Sequence, residues 1–435
     1  MMDHSAELER VAIIPFVEYN LDNGLHVVLA ESHSSPIVAV NLWYHVGSKD
    51  EDPTRTGFAH LFEHMMFQGS DNIKKTEHFK YVQSAGGNLN ATTSQDRTNY
   101  FEILPSTQLE LALWLESDRM LALAVTEENF ENQRAVVTEE RRQRYDNQPY
   151  GLVYEALLER VFTTSGYHWS TIGSMQQLAE STLPEIRAFH TKFYQPNNAS
   201  LALVGDFQPE QARPLIEKYF GSIVSGGEIV RKAQHIEPIA GQIRHTMYDQ
   251  VPLPAVYLAF QGSRAFSRSE QILDIVSRIL ASGRSSRMYT SLVYQNKIAK
   301  EVSTFNIAGE LTGMLGISST VQIGVDPAIV EAALWHEIEL LLEEGITETE
   351  LQKAKNKLEA SHVRSLMHLS SRADQLQQAY TYTGRTERAN EIMEELLSLT
   401  LEEVLEGARA ILRKDACVVI HVLPKTESAG ATEAT

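Results

Sequence analysis

Cysteine and long apolar runs are the two things that this sequence most clearly lacks. Cys417 is the only cysteine in 435 residues, which excludes an internal disulfide and a zinc site built from several thiolates. Cys417 follows Ala416 in an apolar, strand-like run, so we expect its thiol to be buried and inert. No apolar run approaches the roughly 20 residues of a transmembrane helix, so we expect no membrane insertion.

Basic residues are scarce as well. The chain has 38 Lys and Arg against 57 Asp and Glu, which gives a formal net charge of −19. This charge argues against nucleic acid as a partner and favours neutral or basic partners, although solubility alone would also account for it. The chain begins with polar and acidic residues, without the basic and apolar regions of a signal peptide. We therefore expect a soluble, cytoplasmic protein, or a periplasmic or organellar one if a presequence has been removed.

The sequence does have an ordinary globular composition and an internal repeat. With 43% hydrophobic and 22% charged residues, a chain of this length predicts more than one domain. Thr182 opens a helical pattern that leads to a strand-like run over 199–204, and Thr400 opens a similar pattern that leads to 416–422. These segments lie about half a chain apart, so we predict an α+β fold of two similar domains, each a mostly antiparallel sheet packed with helices. The predicted parts are an N-terminal domain over 1–222, a linker over 223–240, a C-terminal domain over 241–425 and a disordered tail over 426–435.

The most informative stretch is His60-Leu61-Phe62-Glu63-His64, inside a helical pattern over 56–67. Histidines four residues apart share one face of a helix, and Glu63 lies on the same face. Hydrolysis at zinc needs two nitrogen ligands, a metal-held water and a base, and the order H-x-x-E-H is the inverzincin motif. We therefore predict His60 and His64 as metal ligands and Glu63 as the base. A solvated polar face is the alternative, but the flanking apolar residues would make unpaired imidazoles costly.

A catalytic zinc takes three protein ligands and leaves a fourth position for water. The best source of a third ligand is the helix predicted over 127–144, in which Glu139 and Glu140 are neighbours. Both are candidates on the residues alone, and a solvated charged face is the alternative for either.

The second half of the chain has no such motif. A helical pattern over 271–281 followed by Gly283 resembles the motif helix followed by Gly69. Aligning the two glycines places Asp274, Ser277 and Arg278 opposite His60, Glu63 and His64. We therefore expect the C-terminal domain to hold no metal.

Four stretches of the chain carry a resemblance: GFAHLFEHMMFQGS over 57–70, GGNLNA over 86–91, VGDF over 204–207 and GRSSR over 283–287. Together they resemble the pitrilysin/insulinase family of zinc metallopeptidases, in the branch of the mitochondrial processing peptidase and many bacterial zinc peptidases. The resemblance implies Glu140 as the third ligand, one zinc per chain, and Glu63 as the general base. It also implies that the two domains form half of a clamshell around a closed chamber.

The resemblance further implies a peptide substrate that adds as a strand to a sheet edge near the metal. The matching positions are Leu89, Asn90, Ala91, Thr92 and Thr93. Backbone pairing of this kind accepts many sequences, so we expect oligopeptides or unstructured segments as substrates. The acid surplus of the chain favours basic peptides among them.

Two departures from the family pattern bear on activity. Gln133 stands where family members often carry a second glutamate. Zinc-free halves or subunits in the family often supply an Arg and a Tyr, but 313–319 holds no Arg and no Tyr follows through residue 329. We therefore predict a dimer, either with a zinc-free homologous subunit or with a second copy of this chain.

The function predicted from the sequence is that of a zinc metalloendopeptidase, which hydrolyses oligopeptides or unstructured segments inside a closed chamber. The alternative is a non-catalytic structural or peptide-binding subunit of the same fold. Zinc analysis of the purified protein tests for the structural subunit. A peptide-binding chamber could retain zinc, so it is distinguished by looking for peptide fragments rather than retained peptide.

Overall fold

The computed structural model describes residues 12–425, which form two β-sheets covered by helices. The strands of the first sheet are β1 (Val17–Asn20), β2 (His26–Glu31), β3 (Ile37–Tyr44), β4 (Asn88–Thr93), β5 (Thr98–Pro105) and β6 (Ala199–Gly205). Their spatial order is β1-β2-β6-β3-β5-β4. β2 and β6 are parallel, and every other neighbouring pair is antiparallel.

Eight helices belong to this first half of the described chain. They are α1 (Phe58–Met65), α2 (Glu77–Ser84), α3 (Leu109–Ala122), α4 (Glu127–Arg141), α5 (Val153–Val161), α6 (Met175–Glu180), α7 (Leu183–Phe193) and α8 (Pro209–Phe220). α1, which carries the H-x-x-E-H motif, packs against α4, β4 and β5. Its Leu61, Phe62 and Met65 are fully buried, so the helix is anchored by its apolar face.

The second sheet has five strands, in the order β7-β11-β8-β10-β9. They are β7 (Ile243–Asp249), β8 (Ala255–Gln261), β9 (Ala299–Ala308), β10 (Gly313–Val321) and β11 (Val418–Pro424). The helices of this half are α9 (Arg268–Ala281), α10 (Pro327–Glu344), α11 (Glu348–Ser365), α12 (Leu369–Thr383), α13 (Arg388–Leu397) and α14 (Leu401–Ile411).

The two halves repeat one plan, which confirms the predicted α+β fold of two similar parts. In each sheet a late strand lies parallel to an early one, β6 beside β2 and β11 beside β7, and antiparallel to the next, β3 or β8. β4 and β9 are the corresponding edge strands. α9 packs on α11 and β9, as α1 packs on α4 and β4. The helix pair α9 and α11 is therefore the counterpart of the pair that carries the motif.

The halves are held together by a shared helix and a buried charge cluster. α12 lies between β10 and β11 of the second sheet in sequence but packs on β3 and β6 of the first sheet. There Gln377 donates to the carbonyl oxygens of Asn41 and Ser200. Lys49 of the first half, 3% exposed, lies between Asp96 of its own half and Glu310 of the second. These contacts join the two predicted domains, whose exact boundaries stay predictions.

Most local predictions agree with the structure. Cys417 is fully buried, as expected. β1 and β2 form a hairpin, and Thr126 caps α4. The α-helix predicted over 127–144 ends three residues earlier than expected, at Arg141. A π-helical turn over Arg142–Asp146 follows it. The predicted tail over 426–435 lies outside the described residues. Within residues 12–425 no helix is both long and apolar enough to cross a membrane.

Candidate metal centre

The position of the motif helix is set by a turn and a buried carboxylate at its start. Gly57 adopts a φ of 95°, a conformation that residues with a side chain disfavour. A Cβ atom at this position would lie only 2.7 Å from the Ile172 carbonyl oxygen. The Glu51 carboxylate accepts hydrogen bonds from the backbone N–H of Gly57 and of Ala59. It also accepts one from the Trp169 indole. Burial raises the pKa of Glu51 to about 8. This carboxylate satisfies N–H groups that the helix itself cannot.

The three side chains predicted as ligands converge at one point. The Oε2 atom of Glu140 lies 3.1 Å from Nε2 of His64 and 3.8 Å from Nε2 of His60. One ligand atom from each of the three residues lies within 4.8 Å of the other two. Ligand atoms on a tetrahedral zinc lie about 3.4 Å apart, given bond lengths of about 2.1 Å. The donor set and its spacing therefore fit zinc.

The electrostatics of this cluster also suit a cation. Burial, together with the neighbouring His64, lowers the pKa of His60 to about 4, so His60 is neutral near pH 7. A hydrogen bond from His64 lowers the pKa of Glu140, which keeps that carboxyl ionised. Neutral imidazole and carboxylate are the forms that bind a metal.

The structure distinguishes the two adjacent glutamates of α4. Glu139 points outward, where it pairs with Arg142 and Gln143. Glu140 faces the histidines, and its Oε1 atom contacts Arg144 at 2.6 Å. Of the two candidates that the residues left open, Glu140 is the one beside the histidine pair. Its role as a ligand remains a prediction.

Glu63 lies next to this cluster but is not one of the three converging residues. Its Oε2 atom accepts a hydrogen bond from Thr93 Oγ1 at 2.6 Å, which fixes the carboxylate against the end of β4. Burial raises the pKa of Glu63, while the Thr93 hydrogen bond opposes that shift. A raised pKa brings a carboxyl closer to the range in which it exchanges protons at neutral pH.

The five predicted substrate-binding residues all lie in β4, at the free edge of the first sheet. Two of its backbone groups are already occupied by side chains. The Ala91 N–H donates to Asn90 Oδ1, and the Thr92 carbonyl accepts from Arg97. A peptide strand added at this edge would compete with Asn90 Oδ1 for the Ala91 N–H if one of its carbonyl groups reached that N–H.

Sequence reasoning missed Glu51, and it did not assign the contacts of two other residues at this site. Glu51 caps the motif helix, but nothing in its sequence neighbourhood signals a contact with Gly57. Arg144 lies four residues after Glu140, a spacing that could have indicated the ion pair. Gln133 is buried and donates to Asn132.

A second group of metal-binding residue types lies in the first half: His78, Glu102 and Glu116. All three are buried, and Arg119 already supplies a positive charge, because its Nε donates to Glu116 at 2.9 Å. The guanidinium also lies 4.3 Å from the centre of the Tyr100 ring. This group is a buried ion network rather than an open metal site.

We expect Arg119→Leu to destabilise the protein strongly, because it leaves buried carboxylates without a partner. Breaking such a pair costs about 3–5 kcal/mol. The midpoint of urea unfolding measures the effect. Arg142→Leu is the matched control, since it breaks an exposed pair of the same spacing with Glu139, worth about 1 kcal/mol or less. Equal midpoint shifts for the two variants would contradict the prediction.

Two similar α+β halves, with a two-histidine, one-glutamate cluster in the first, define a class of two-domain proteins built around the inverted zinc motif. Within this class the chain belongs to peptidase family M16, the insulinase family. The model "Insulinase (Peptidase family M16)" matches residues 26–174, and the model "Peptidase M16 inactive domain" matches residues 181–358. The match to an inactive-domain model covers much of the half that lacks the motif.

Relatives and solved structures agree with this membership. The chain is 30% identical to the zinc protease PqqE of Helicobacter pylori over 413 residues, which cover 93% of this chain and 92% of that protein. It is 24% identical to the uncharacterized zinc protease YmxG of Bacillus subtilis, over 92% of this chain and 97% of that protein. The crystal structure of a protease from Helicobacter pylori superposes with a TM-score of 0.90 at 27% identity, covering 95% of this chain and all of that one.

A further structural neighbour is a longer protein. The periplasmic protease PqqL of Escherichia coli superposes with a TM-score of 0.78 at 18% identity, a likeness that shows the fold alone. The match covers 95% of this chain but 48% of PqqL. This chain therefore corresponds in fold to about half of that larger protein.

Proposed function

We propose that this chain is a zinc metalloendopeptidase that hydrolyses oligopeptides or unstructured polypeptide segments. The observation that carries the proposal is the convergence of His60, His64 and Glu140, with Glu63 held beside them. A solvated polar face would scatter these side chains. The zinc protease names of its relatives support the same assignment.

In this proposal each residue has a separate task. His60, His64 and Glu140 hold one zinc ion per chain. When bound, zinc acidifies a water molecule and polarises the scissile carbonyl. Glu63 takes the proton of the attacking water on its carboxylate and later delivers it to the leaving amine. Thr93 positions that carboxylate through its hydrogen bond.

The peptide is held, in this proposal, by the free edge of β4. Leu89, Asn90, Ala91, Thr92 and Thr93 would pair with it through the backbone, so sequence preference would come from the pockets that flank the strand. Because Thr93 contacts Glu63, a strand bound along β4 would place its backbone close to the base. A folded protein cannot offer an extended segment to such an edge, whereas an unstructured one can.

Metal analysis combined with peptide-library cleavage tests the proposal. We expect about one zinc per chain, with cleavage abolished by a chelator and restored by added zinc. Mass spectrometry of the products separates hydrolysis from mere retention of peptides. A zinc-free protein, or a zinc-loaded one that leaves every peptide intact, would instead indicate a non-catalytic subunit.

We propose further that full activity requires a second subunit, either a zinc-free homologue or another copy of this chain. β10 in the second half reads GMLGISSTV and offers no cationic side chain toward a reacting carbonyl. The likeness to PqqL, twice as long, supports a two-part chamber.

This subunit requirement predicts that specific activity depends on protein concentration. We expect it to fall on dilution as the assembly dissociates, and to recover when a co-purified partner is added back. Light scattering on the same samples measures the mass of the active species. A monomer with undiminished specific activity at every concentration would contradict the prediction.

A further inference from the structure

A basic groove lies in the second half, at the counterpart of the metal centre. Its volume is about 860 Å³, and it runs between the end of α9 and one face of α11. Arg278, which lines the groove, aligns with His64 of the motif helix. Ser361 also lines the groove and corresponds to Glu140. Each of the two lies the same number of residues after the N-cap of its helix, which is Thr347 for α11 and Thr126 for α4. The groove thus lies where the first half has its predicted metal ligands, and other side chains stand at the corresponding positions.

The charge of the groove is opposite to that of the whole protein. Its lining includes four cationic side chains, Arg278, Lys353, Lys357 and Arg364, and one acidic side chain, Glu348. The formal net charge of the chain is −19. A cluster of cations in so acidic a protein marks a surface suited to an anion.

Among residues 12–425 these four cations form no close ion pair with a carboxylate, although the charge of Arg278 acts to lower the pKa of Asp274. Arg278 donates to Ser282 Oγ, Lys357 to the Ser282 carbonyl, and Lys353 to Ser285 Oγ, all neutral acceptors. The Arg364 side chain is exposed and has no hydrogen-bond partner among residues 12–425. Asp274, one turn before Arg278, bonds to Asn306 instead.

The shape of the groove distinguishes an extended ligand from a compact one. Along α11 the lining positions recur every fourth residue, from Glu348 through Gln352, Asn356 and Ala360 to Arg364. At about 1.5 Å per residue this face is about 24 Å long, the length of about seven residues of an extended peptide. The cations are spread along the face instead of surrounding one point. The amides of Gln352 and Asn356 lie between them and can bond to a peptide backbone.

We propose that this groove binds an acidic, extended segment of a polypeptide, with its carboxylates on Lys353, Lys357 and Arg364. The site is separate from the proposed catalytic centre, and binding to it does not require that the chain cleave peptides. The basic partners favoured by the net charge remain suited to the rest of the surface. A long polyphosphate chain such as nucleic acid is disfavoured, because it would extend beyond the groove onto the acidic surface, whereas a short peptide segment would not.

Fluorescence anisotropy on the full, zinc-loaded chain tests the proposal. The probe is an end-blocked, fluorescein-labelled peptide of about eight residues of alternating glutamate and alanine, a length that spans the groove. A peptide with glutamine in place of glutamate is its control, and mass spectrometry verifies that both peptides stay intact. We expect the glutamate peptide to bind, more weakly as salt is added, and the glutamine peptide to bind at least about tenfold more weakly.

The variant that removes the cations is Lys353→Gln/Lys357→Gln/Arg364→Gln. We expect it to bind the acidic peptide roughly tenfold more weakly, because each exposed charge contact contributes a factor of a few. The matched control, Lys80→Gln/Lys232→Gln/Lys300→Gln, removes three exposed cations outside the groove and should keep the affinity within about twofold. Arg364→Glu is a second test if the triple variant fails to fold, since the Arg364 side chain is exposed.

Three results would overturn the proposal. The first is equal binding of the glutamate and glutamine peptides. The second is undiminished affinity in folded variants that lack the groove cations. The third is displacement of the probe by inorganic phosphate as effectively as by the same concentration of unlabelled acidic peptide, which would mean a site for free oxyanions. Loss of cleavage with intact peptide binding would count against the proposed function alone.

Discussion

Glu63→Gln is expected to abolish peptide cleavage while leaving zinc in place. The glutamine amide has the same shape and can still accept the Thr93 hydrogen bond, so the local structure should persist. It cannot take a proton from water, however. General acid–base groups contribute about 10²–10⁴-fold to a rate, and we expect kcat to fall by that factor. Steady-state cleavage of a fluorogenic peptide and zinc analysis of the same sample measure both effects.

Two controls separate this result from misfolding. Glu128→Gln removes an exposed carboxylate from the first turn of α4 and should leave both zinc content and kcat unchanged. A thermal melt of Glu63→Gln should overlay that of the unaltered protein. Full cleavage by zinc-loaded Glu63→Gln would show that another group takes the proton, and the assignment of Glu63 as the base would be wrong.

The motif could be found from the sequence because its information is local. Spacing on one helix decides that His60 and His64 share a face, and no distant residue is needed for that inference. The third position required more. Glu139 and Glu140 are adjacent on α4, and only the packing of that helix against α1 decides which of them faces the histidines. The family resemblance supplied Glu140 where the residues alone did not.

Contacts between distant segments account for what sequence reasoning could not provide. Glu51 caps α1 only because the preceding loop folds back on Gly57, and loop geometry leaves no periodic signal. α12 belongs in sequence to the second half, yet its buried Gln377 bonds to backbone of the first sheet. A polar side chain in an otherwise ordinary helix does not indicate which sheet will accept its hydrogen bonds.

The basic groove was only partly predictable from the sequence. The alignment of the halves placed Arg278 opposite His64, so the loss of the metal motif was predictable. The gain of a cationic surface was not, because Lys357 and Arg364 come from α11, far along the chain from α9. In both halves the corresponding pair of helices brings distant side chains together. In the first half these are the three predicted metal ligands, and in the second they are cations.

Replacing Glu140 should remove the metal itself, and with it all activity. In Glu140→Gln the carboxylate beside both histidine Nε2 atoms becomes a neutral amide, a much weaker zinc ligand. Changes in outer-shell partners already weaken metal affinity about 10–100-fold, and loss of a direct ligand should exceed that. We expect zinc to fall from about one per chain to near zero after dialysis against a weak chelator, as measured by mass spectrometry of the metal.

Glu139→Gln provides the matched control for this prediction. It makes the same chemical change one residue earlier on α4, at a side chain that faces Arg142 and Gln143 instead of the histidines. We expect it to retain both zinc and activity, as an exposed charge pair contributes little. Because the two variants differ only in which face of one helix they alter, equal zinc retention would mean that Glu140 is not a ligand. Without that third ligand, the proteolytic assignment of this site would fail.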